Sequence, residues 1–230
     1  MGDSGYISDH EKERLSKFYN SMDEELITSE SDFTFDMWSL ILGLLNENGK
    51  EGKRRLIDVG GGTGRLSRAA FRYGFEVYLT DILPELLNIA TAKYSEFEGR
   101  TYLLDIFDPK SVDDFIDAHG YFDVVLCLGF VINHTDSLER TETAFFNLVK
   151  LMNDKAVLVL DALIRELYMG YPLVIWDRLT NTLIPISTML KYFKKYGLIL
   201  KHLHSLEYSY SKPNYHYMDR GIRFFLVKAW

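Results

Sequence analysis

Acidic residues and glycines in a fixed order are where this chain first limits its own chemistry. The run Leu56-Ile57-Asp58-Val59-Gly60-Gly61-Gly62-Thr63-Gly64 sets a carboxylate ahead of a glycine cluster. Positions without a Cβ let a strand turn sharply into a helix and let a ligand approach the backbone amides. A dinucleotide fingerprint needs G-x-G-x-x-G/A, but counted from Gly60 the last position is Arg65, and counted from Gly62 it is Ser67. The nicotinamide reading therefore loses its third glycine. No G-x-x-x-x-G-K-[ST] occurs, which excludes a P-loop triphosphate site.

Two more carboxylates follow, in Thr80-Asp81-Ile82 and Asp105-Ile106-Phe107. An ionised carboxylate only accepts hydrogen bonds and has room for two donors, which suits ligand binding at a strand end. The competing reading is that each acid merely caps the helix that follows it. His134, in Gly129-Phe130-Val131-Ile132-Asn133-His134-Thr135, is the natural base near neutral pH for a hydroxyl or ammonium nucleophile. It equally suits a loop histidine that packs or hydrogen-bonds beneath a ligand. Asn133 either orients a substrate or holds a turn. Cys127 is the one cysteine, so the chain forms no internal disulfide and no cysteine-based zinc site. Its place inside an apolar strand reads as a small core residue, and a reducing, cytoplasmic setting is expected.

These residues need elements to hold them. Arg54 to Val59 reads as a strand ending at the glycines, and Arg65 to Tyr73 as a helix closed by Gly74. Strand Glu76 to Thr80, helix Pro84 to Tyr94, strand Thr101 to Leu104, helix Ser111 to His119 and strand Phe122 to Leu128 continue the alternation. A helix from about Ser137 to Met152, opened by Asp136 and Glu139 as a capping box, leads to strand Ala156 to Leu160. Strand and helix at this spacing imply right-handed crossovers, a mainly parallel sheet, and a ligand at the carboxyl ends of the strands. Ahead of them, residues 9 to 28 and Asp36 to Asn46 carry apolar residues at helical spacing. Behind them, Arg165 to Pro185 has no clear period and reads as an inserted loop or lid. Helix Ser187 to Tyr196 and strands Leu198 to Tyr208 and Ile222 to Lys228 complete the chain, the strands joined by a tyrosine-rich connection.

Lys and Arg total 26 against 33 Asp and Glu, a net charge of −7, in a chain of 230 residues that is 47% hydrophobic. An acidic total without a basic cluster weighs against nucleic acid as a partner. The longest apolar run, Phe122 to Ile132, contains Asp123 and is far shorter than the ~20 residues of a membrane helix. Met1 to His10 lacks the basic and apolar regions of a signal peptide, so no membrane partner is expected.

Asp58, Gly60, Gly62 and Gly64 resemble the D-x-G-x-G-x-G motif of class I S-adenosylmethionine-dependent methyltransferases. The likeness extends through Thr80-Asp81-Ile82, Asp105-Ile106-Phe107, Leu128-Gly129-Phe130 and the helix-Gly-strand unit Met189 to Leu203, and so covers roughly residues 54 to 230. It implies a Rossmann-like, mainly parallel seven-stranded sheet with helices on both faces. An N-terminal helical lid would occupy 1–50, and the methyltransferase domain 51–230, with an inserted substrate-lid segment 164–186 after the fifth strand.

The cofactor it implies is S-adenosyl-L-methionine, leaving as S-adenosyl-L-homocysteine. Asp81 would accept from the ribose diol, Asp105 from the adenine amino group, and the Ile106 amide would donate to the ring. The glycine loop, Gly61 included, would face the methionine moiety; Ile82, Phe107, Leu128 and Gly129 complete the set, and Tyr19 resembles a lid tyrosine. His134 is the candidate catalytic base; Asn133, Tyr168, Trp176, Tyr215 and His216 are the candidate substrate contacts. Asn/Asp-Pro-Pro-Tyr after the fourth strand and a Pro-Cys nucleophile are both missing, and Asp161 is followed by Ala162 and not by Asn. Methylation of a base amino group, of a pyrimidine ring and by a metal-dependent catechol-type route are set aside, and no metal is expected. The expected function is methyl transfer to an O or N atom of a small-molecule acceptor, with a homodimer left open. The alternatives are a protein or tRNA methyltransferase working with a partner, and a non-catalytic S-adenosylmethionine-binding subunit.

Overall fold

The computed structural model describes residues 13, 34–49, 52–168, 182–212 and 215–229. In chain order the elements are α1 (Thr34–Glu47), β1 (Arg54–Val59), α2 (Arg65–Arg72), β2 (Phe75–Asp81), α3 (Pro84–Lys93), β3 (Thr101–Leu103), α4 (Pro109–His119) and β4 (Phe122–Cys127). They continue with α5 (Leu138–Lys150), β5 (Met152–Leu163), α6 (Ile186–Lys195), β6 (Leu198–Lys212) and β7 (Tyr215–Lys228). The strands form one sheet in the order β3-β2-β1-β4-β5-β7-β6. β7 runs antiparallel to both β5 and β6, and the other pairings are parallel. The expected seven-stranded, mainly parallel sheet is therefore the observed one.

Alternation along each strand divides the core in two. Ile57, Val125, Leu158 and Phe224 face one side with α4, α5 and α6. Leu56, Val124, Val157 and Phe225 face the other with α1, α2 and α3. Strands buried on both faces read as continuous apolar runs, and that is why β4 and β5 were legible. Several boundaries differ from the sequence reading. β5 starts at Met152, and α4 starts at Pro109 because the Asp108 carboxylate accepts from the Lys110 and Ser111 amides. α5 is capped by Ser137, which accepts from the Arg140 amide, and not by Asp136. The tyrosine-rich connection is itself strand: β6 and β7 pair as far as Lys212 and Tyr215, whereas β5 pairs with β7 only to Leu163 and Gly221. A two-stranded ribbon therefore runs past the carboxyl ends of the parallel strands. Tyr-Ser-Tyr-Ser has the two-residue period of a strand, and that signal carries further than the loop reading allowed.

The segment 1–50 was expected as a lid, and its described helix does something else. Met37, Trp38, Ile41, Leu44 and Leu45 of α1 are buried against the sheet, with the Trp38 ring stacked 5.7 Å from Tyr73. An amphipathic stripe suits a lid and a sheet-covering helix equally, and packing made it the latter. No helix among the described residues is long and apolar enough to cross a membrane.

One buried ion pair ties the two antiparallel pairings to the parallel half. Arg223 on β7 stands opposite Asp161 on β5, and its Nε and Nη2 donate to the two carboxylate oxygens at 2.7 and 2.8 Å. Asp161 Oδ2 also accepts from the Gly129 amide at 3.0 Å, and Arg223 Nη1 reaches Met37 Sδ on α1 at 3.6 Å. Removing one charge leaves the other buried and uncompensated. Arg223→Met should therefore cost about 3–5 kcal/mol of folding stability by chemical denaturation, and adding Asp161→Leu should recover part of that loss.

Candidate active site

At the carboxyl ends of β1, β2 and β3 a cleft of about 470 Å³ is lined by Val59, Gly60, Asp81, Ile82, Leu83, Leu104, Asp105, Ile106, Phe107, Val131 and His134. The local sequence explains how each wall is held. Asp58, one residue before the end of β1, does not line the cleft; it lies 2% exposed under the loop, accepting from the Ser67 hydroxyl of α2. A Cβ on Gly61 would sit 2.5 Å from that carboxylate and 2.5 Å from Leu79, so the loop closes on its brace only with glycine there. Gly64, at φ 76°, turns the chain into α2 where a side chain would strike the Phe97 ring. Of the loop glycines, Gly60 reaches the cleft wall, packed against Val131.

Asp81 and Asp105 use the same local device. Asp81 Oδ1 accepts from the Leu83 amide and Asp105 Oδ1 from the Phe107 amide, each two residues ahead and each at 2.9 Å. Asp81 Oδ2 accepts from the Gly62 amide at 2.9 Å, which fastens β2 to the glycine loop. Neither acid caps a helix: α3 is preceded by Leu83 without a side-chain cap, and Asp108 caps α4. A carboxylate oxygen has two acceptor sites, so these local bonds leave capacity toward the cleft.

Burial raises Asp58 and Asp81 to pKa values of about 6. For Asp58 the Ser67 hydrogen bond opposes the rise and the Asp81 charge adds to it. For Asp81 the Leu83, Gly62 and Ile82 amides oppose it and Glu85 adds to it.

The turn after β4 forms the opposite wall. Gly129 and Phe130 both have positive φ, 71° and 65°; for a phenylalanine this is strained. The Phe130 ring is held by Leu163 and Leu206 and lies against Gly221, where any Cβ would fall 2.3 Å from it. Val131 and a half-buried His134 line the cleft, while Leu128 is buried in the core and Gly129 is exposed beside them. Asn133 is a correction to the substrate reading. It is fully buried, its Nδ2 donates to the carbonyls of Leu163 and Thr182, and its Oδ1 accepts from the Leu163 amide, so it staples the turn to β5.

Tyr19 and Trp176 lie outside the described residues. Tyr168 closes a 3-10 turn after β5, and Tyr215 and His216 pair with Lys212 and Ser211 in the ribbon; only the backbone of these three is described. Sequence reasoning missed Ser67, Ser111, Asn147 and the apolar Leu83, Leu104 and Val131. Single polar residues on helices give no periodic signal, and apolar cleft walls look like core.

A methyltransferase domain model matches residues 57–158. A protein of Geobacillus sp. (strain WCH70) named as a methyltransferase is 26% identical over 128 residues, 55% of this chain and 50% of its own length. The chain thus spans about half the length of that curated relative. An S-adenosylmethionine-dependent methyltransferase of Clostridium acetobutylicum ATCC 824 superimposes with a TM-score of 0.64 at 14% identity, over 94% of this chain and 99% of the other. Magnesium protoporphyrin IX methyltransferase of Synechocystis PCC 6803, solved with S-adenosylmethionine, gives 0.60 at 16% identity over 98% and 100%.

Residues 57–158 thus match a methyltransferase domain, and the fold is that of solved S-adenosylmethionine-dependent methyltransferases.

In this methyltransferase fold the two raised acids give stability a pH dependence of defined sign. Their folded-state pKa values exceed the unfolded ones, so the stability they contribute is present below the usual carboxylate range and is lost as pH rises through about 6. Asp58→Asn, neutral at every pH and still able to accept from Ser67, should flatten that decline when unfolding free energies are compared at pH 4.5 and 7.5.

Proposed function

We propose that the chain binds S-adenosylmethionine and transfers its methyl group to an O or N atom of a small-molecule acceptor, releasing S-adenosylhomocysteine. The observation that carries this reading is the gathering of Asp81, Asp105, Ile106 and His134 into one cleft at the carboxyl ends of the strands. Asp81 would accept from the ribose diol and Asp105 from the adenine amino group. Ile106 is 3% exposed, and its amide would donate to the ring. Ile82, Leu83, Leu104 and Phe107 supply the apolar walls a purine needs. The glycine loop and the first turn of α2 would face the methionine end.

Transfer needs a nucleophile aligned with the methyl carbon and water excluded. The acceptor lone pair forms the new bond to carbon, the C–S bonding pair returns to sulfur, and the sulfonium becomes a neutral thioether. The acceptor's proton would go to His134, across the cleft from Asp81 and Asp105. The acidic total and a fold neighbour named for a porphyrin acceptor favour a small molecule. The paired strands β6 and β7 run past the same end, and they and segment 164–186 would select the acceptor, with Tyr19, Tyr168, Trp176, Tyr215 and His216 as candidates. A single buried cysteine suits a cytoplasmic setting.

Titration calorimetry with S-adenosylhomocysteine tests the cofactor assignment. Asp81→Asn should weaken binding by about 1.5–3 kcal/mol, and wild-type affinity should fall as pH drops through about 6, where Asp81 takes up a proton and loses acceptor capacity. Unchanged affinity in the variant would remove the ribose assignment. His134→Asn should slow transfer by roughly 10²-fold or more with S-adenosylhomocysteine affinity intact. A normal rate would leave alignment alone as the source of catalysis.

A further inference from the structure

In the segment Asp105-Ile106-Phe107 after β3, four of the six backbone groups are held by hydrogen bonds. The Asp105 amide donates to Ser111 Oγ at 3.2 Å, and its carbonyl accepts from the Asp108 amide at 3.1 Å. The Phe107 amide donates to the Asp105 carboxylate at 2.9 Å. The Ile106 carbonyl accepts from Nδ2 of Asn147, a fully buried residue on α5, at 2.8 Å. The Ile106 amide is the donor these bonds leave over, in a residue that lines the cleft and is almost fully buried. The Ile106 amide shares its peptide plane with the Asp105 carbonyl, which the Asp108 amide holds, and Asn147 holds the next plane, so the two bonds together bracket Ile106 and limit the φ and ψ through which its amide could turn away.

Asn147 is expensive for the work it does. Its Oδ1 is buried and accepts no hydrogen bond, so an apolar residue would fit the core more cheaply. What offsets that cost is the Ile106 carbonyl, which would otherwise be buried and unsatisfied itself.

We propose that Asn147 is a positioning residue for purine recognition, holding the Ile106 amide toward a ring nitrogen of the ligand so that the cleft selects an adenine whose amino edge meets Asp105 and whose adjacent ring nitrogen meets Ile106. This rests on the cofactor reading above. Asn147 touches the ligand nowhere; it acts from α5 through one carbonyl. The amino group and N1 of adenine are neighbours on one edge, as the Asp105 carboxylate and the Ile106 amide are neighbours on the chain. Replacing N1 by C–H removes the acceptor and leaves a buried donor unpaired, so discrimination between the two ligands reads the orientation of that amide directly.

The test is calorimetry with S-adenosylhomocysteine and its 1-deazaadenine analogue, on wild type and on Asn147→Leu, with cooperative unfolding checked alongside. Wild type should bind the analogue about tenfold more weakly. In Asn147→Leu the ratio should fall to about twofold, mainly through lost affinity for S-adenosylhomocysteine itself. A purely structural role would lower stability or weaken both ligands equally, and a tenfold ratio kept in the folded variant overturns the proposal. If Asn147→Leu does not fold, Asn147→Asp at pH 8 puts an acceptor where the donor stood at nearly constant volume, and the same ratio decides. Wild type that binds S-adenosylhomocysteine but does not discriminate also overturns the proposal while leaving the cofactor reading intact. Wild type that binds neither ligand overturns both.

Discussion

Everything at the mouth of this sheet depends on a charge that is held in the dry interior by another. Asp161 has no exposed surface and Arg223 almost none, and their bidentate contact joins β5 to the antiparallel β7. In an interior of low polarity such a pair contributes little net stability, but its geometry is hard to violate. The consequence is positional. The Gly129 amide hangs on the same carboxylate, so the turn that carries Val131 and His134 leaves β4 at one place and in one direction. Phe130 can then be kept at a positive φ, because its ring is locked between Leu163, Leu206 and the bare backbone of Gly221.

The facing wall is built on the same economy of polar groups. Asp81 and Asp105 each bind an amide two residues ahead, which shapes the loop, and each still borders the cleft. Capping the next helix and receiving a ligand are the sequence's rival readings of these acids; neither caps a helix, and one carboxylate has enough acceptor sites both to hold the loop and to meet a ligand. Asp58 shows the limiting case. It stands first in the glycine motif and lies wholly beneath it, joined to Ser67, so its part is to set the loop on which others meet the ligand.

Much of the architecture was legible because buried parallel strands are apolar runs and the glycines fall where the chain must turn. β1 was bounded to the residue, and β2, β3, β4, α3 and α6 to within one residue at either end. The misreadings have physical causes. Ser137 and Asp136 are both good caps, and backbone geometry chose between them. α1 carries an apolar stripe that a lid and a core helix share, so only tertiary packing, with Trp38 against Tyr73 and Phe75, decided its place. Asn133, polar and next to a histidine in a loop, looked like a substrate contact; its amide is consumed by Leu163 and Thr182.

By itself the sequence determined the alternation of strand and helix, the glycine turn after β1 and the acids at the ends of β2 and β3, because these depend on local sterics, periodicity and hydrogen-bonding capacity. Tertiary structure alone decided which residues far apart in the chain complete one another: Arg223 with Asp161 across 62 positions, Asn147 with Ile106 across 41, and Asn133 with the end of β5 across 30. Such pairings involve single polar side chains with no period to announce them. Their partners are fixed only when the sheet has formed and withdrawn both groups from water, where leaving either one unpaired becomes costly.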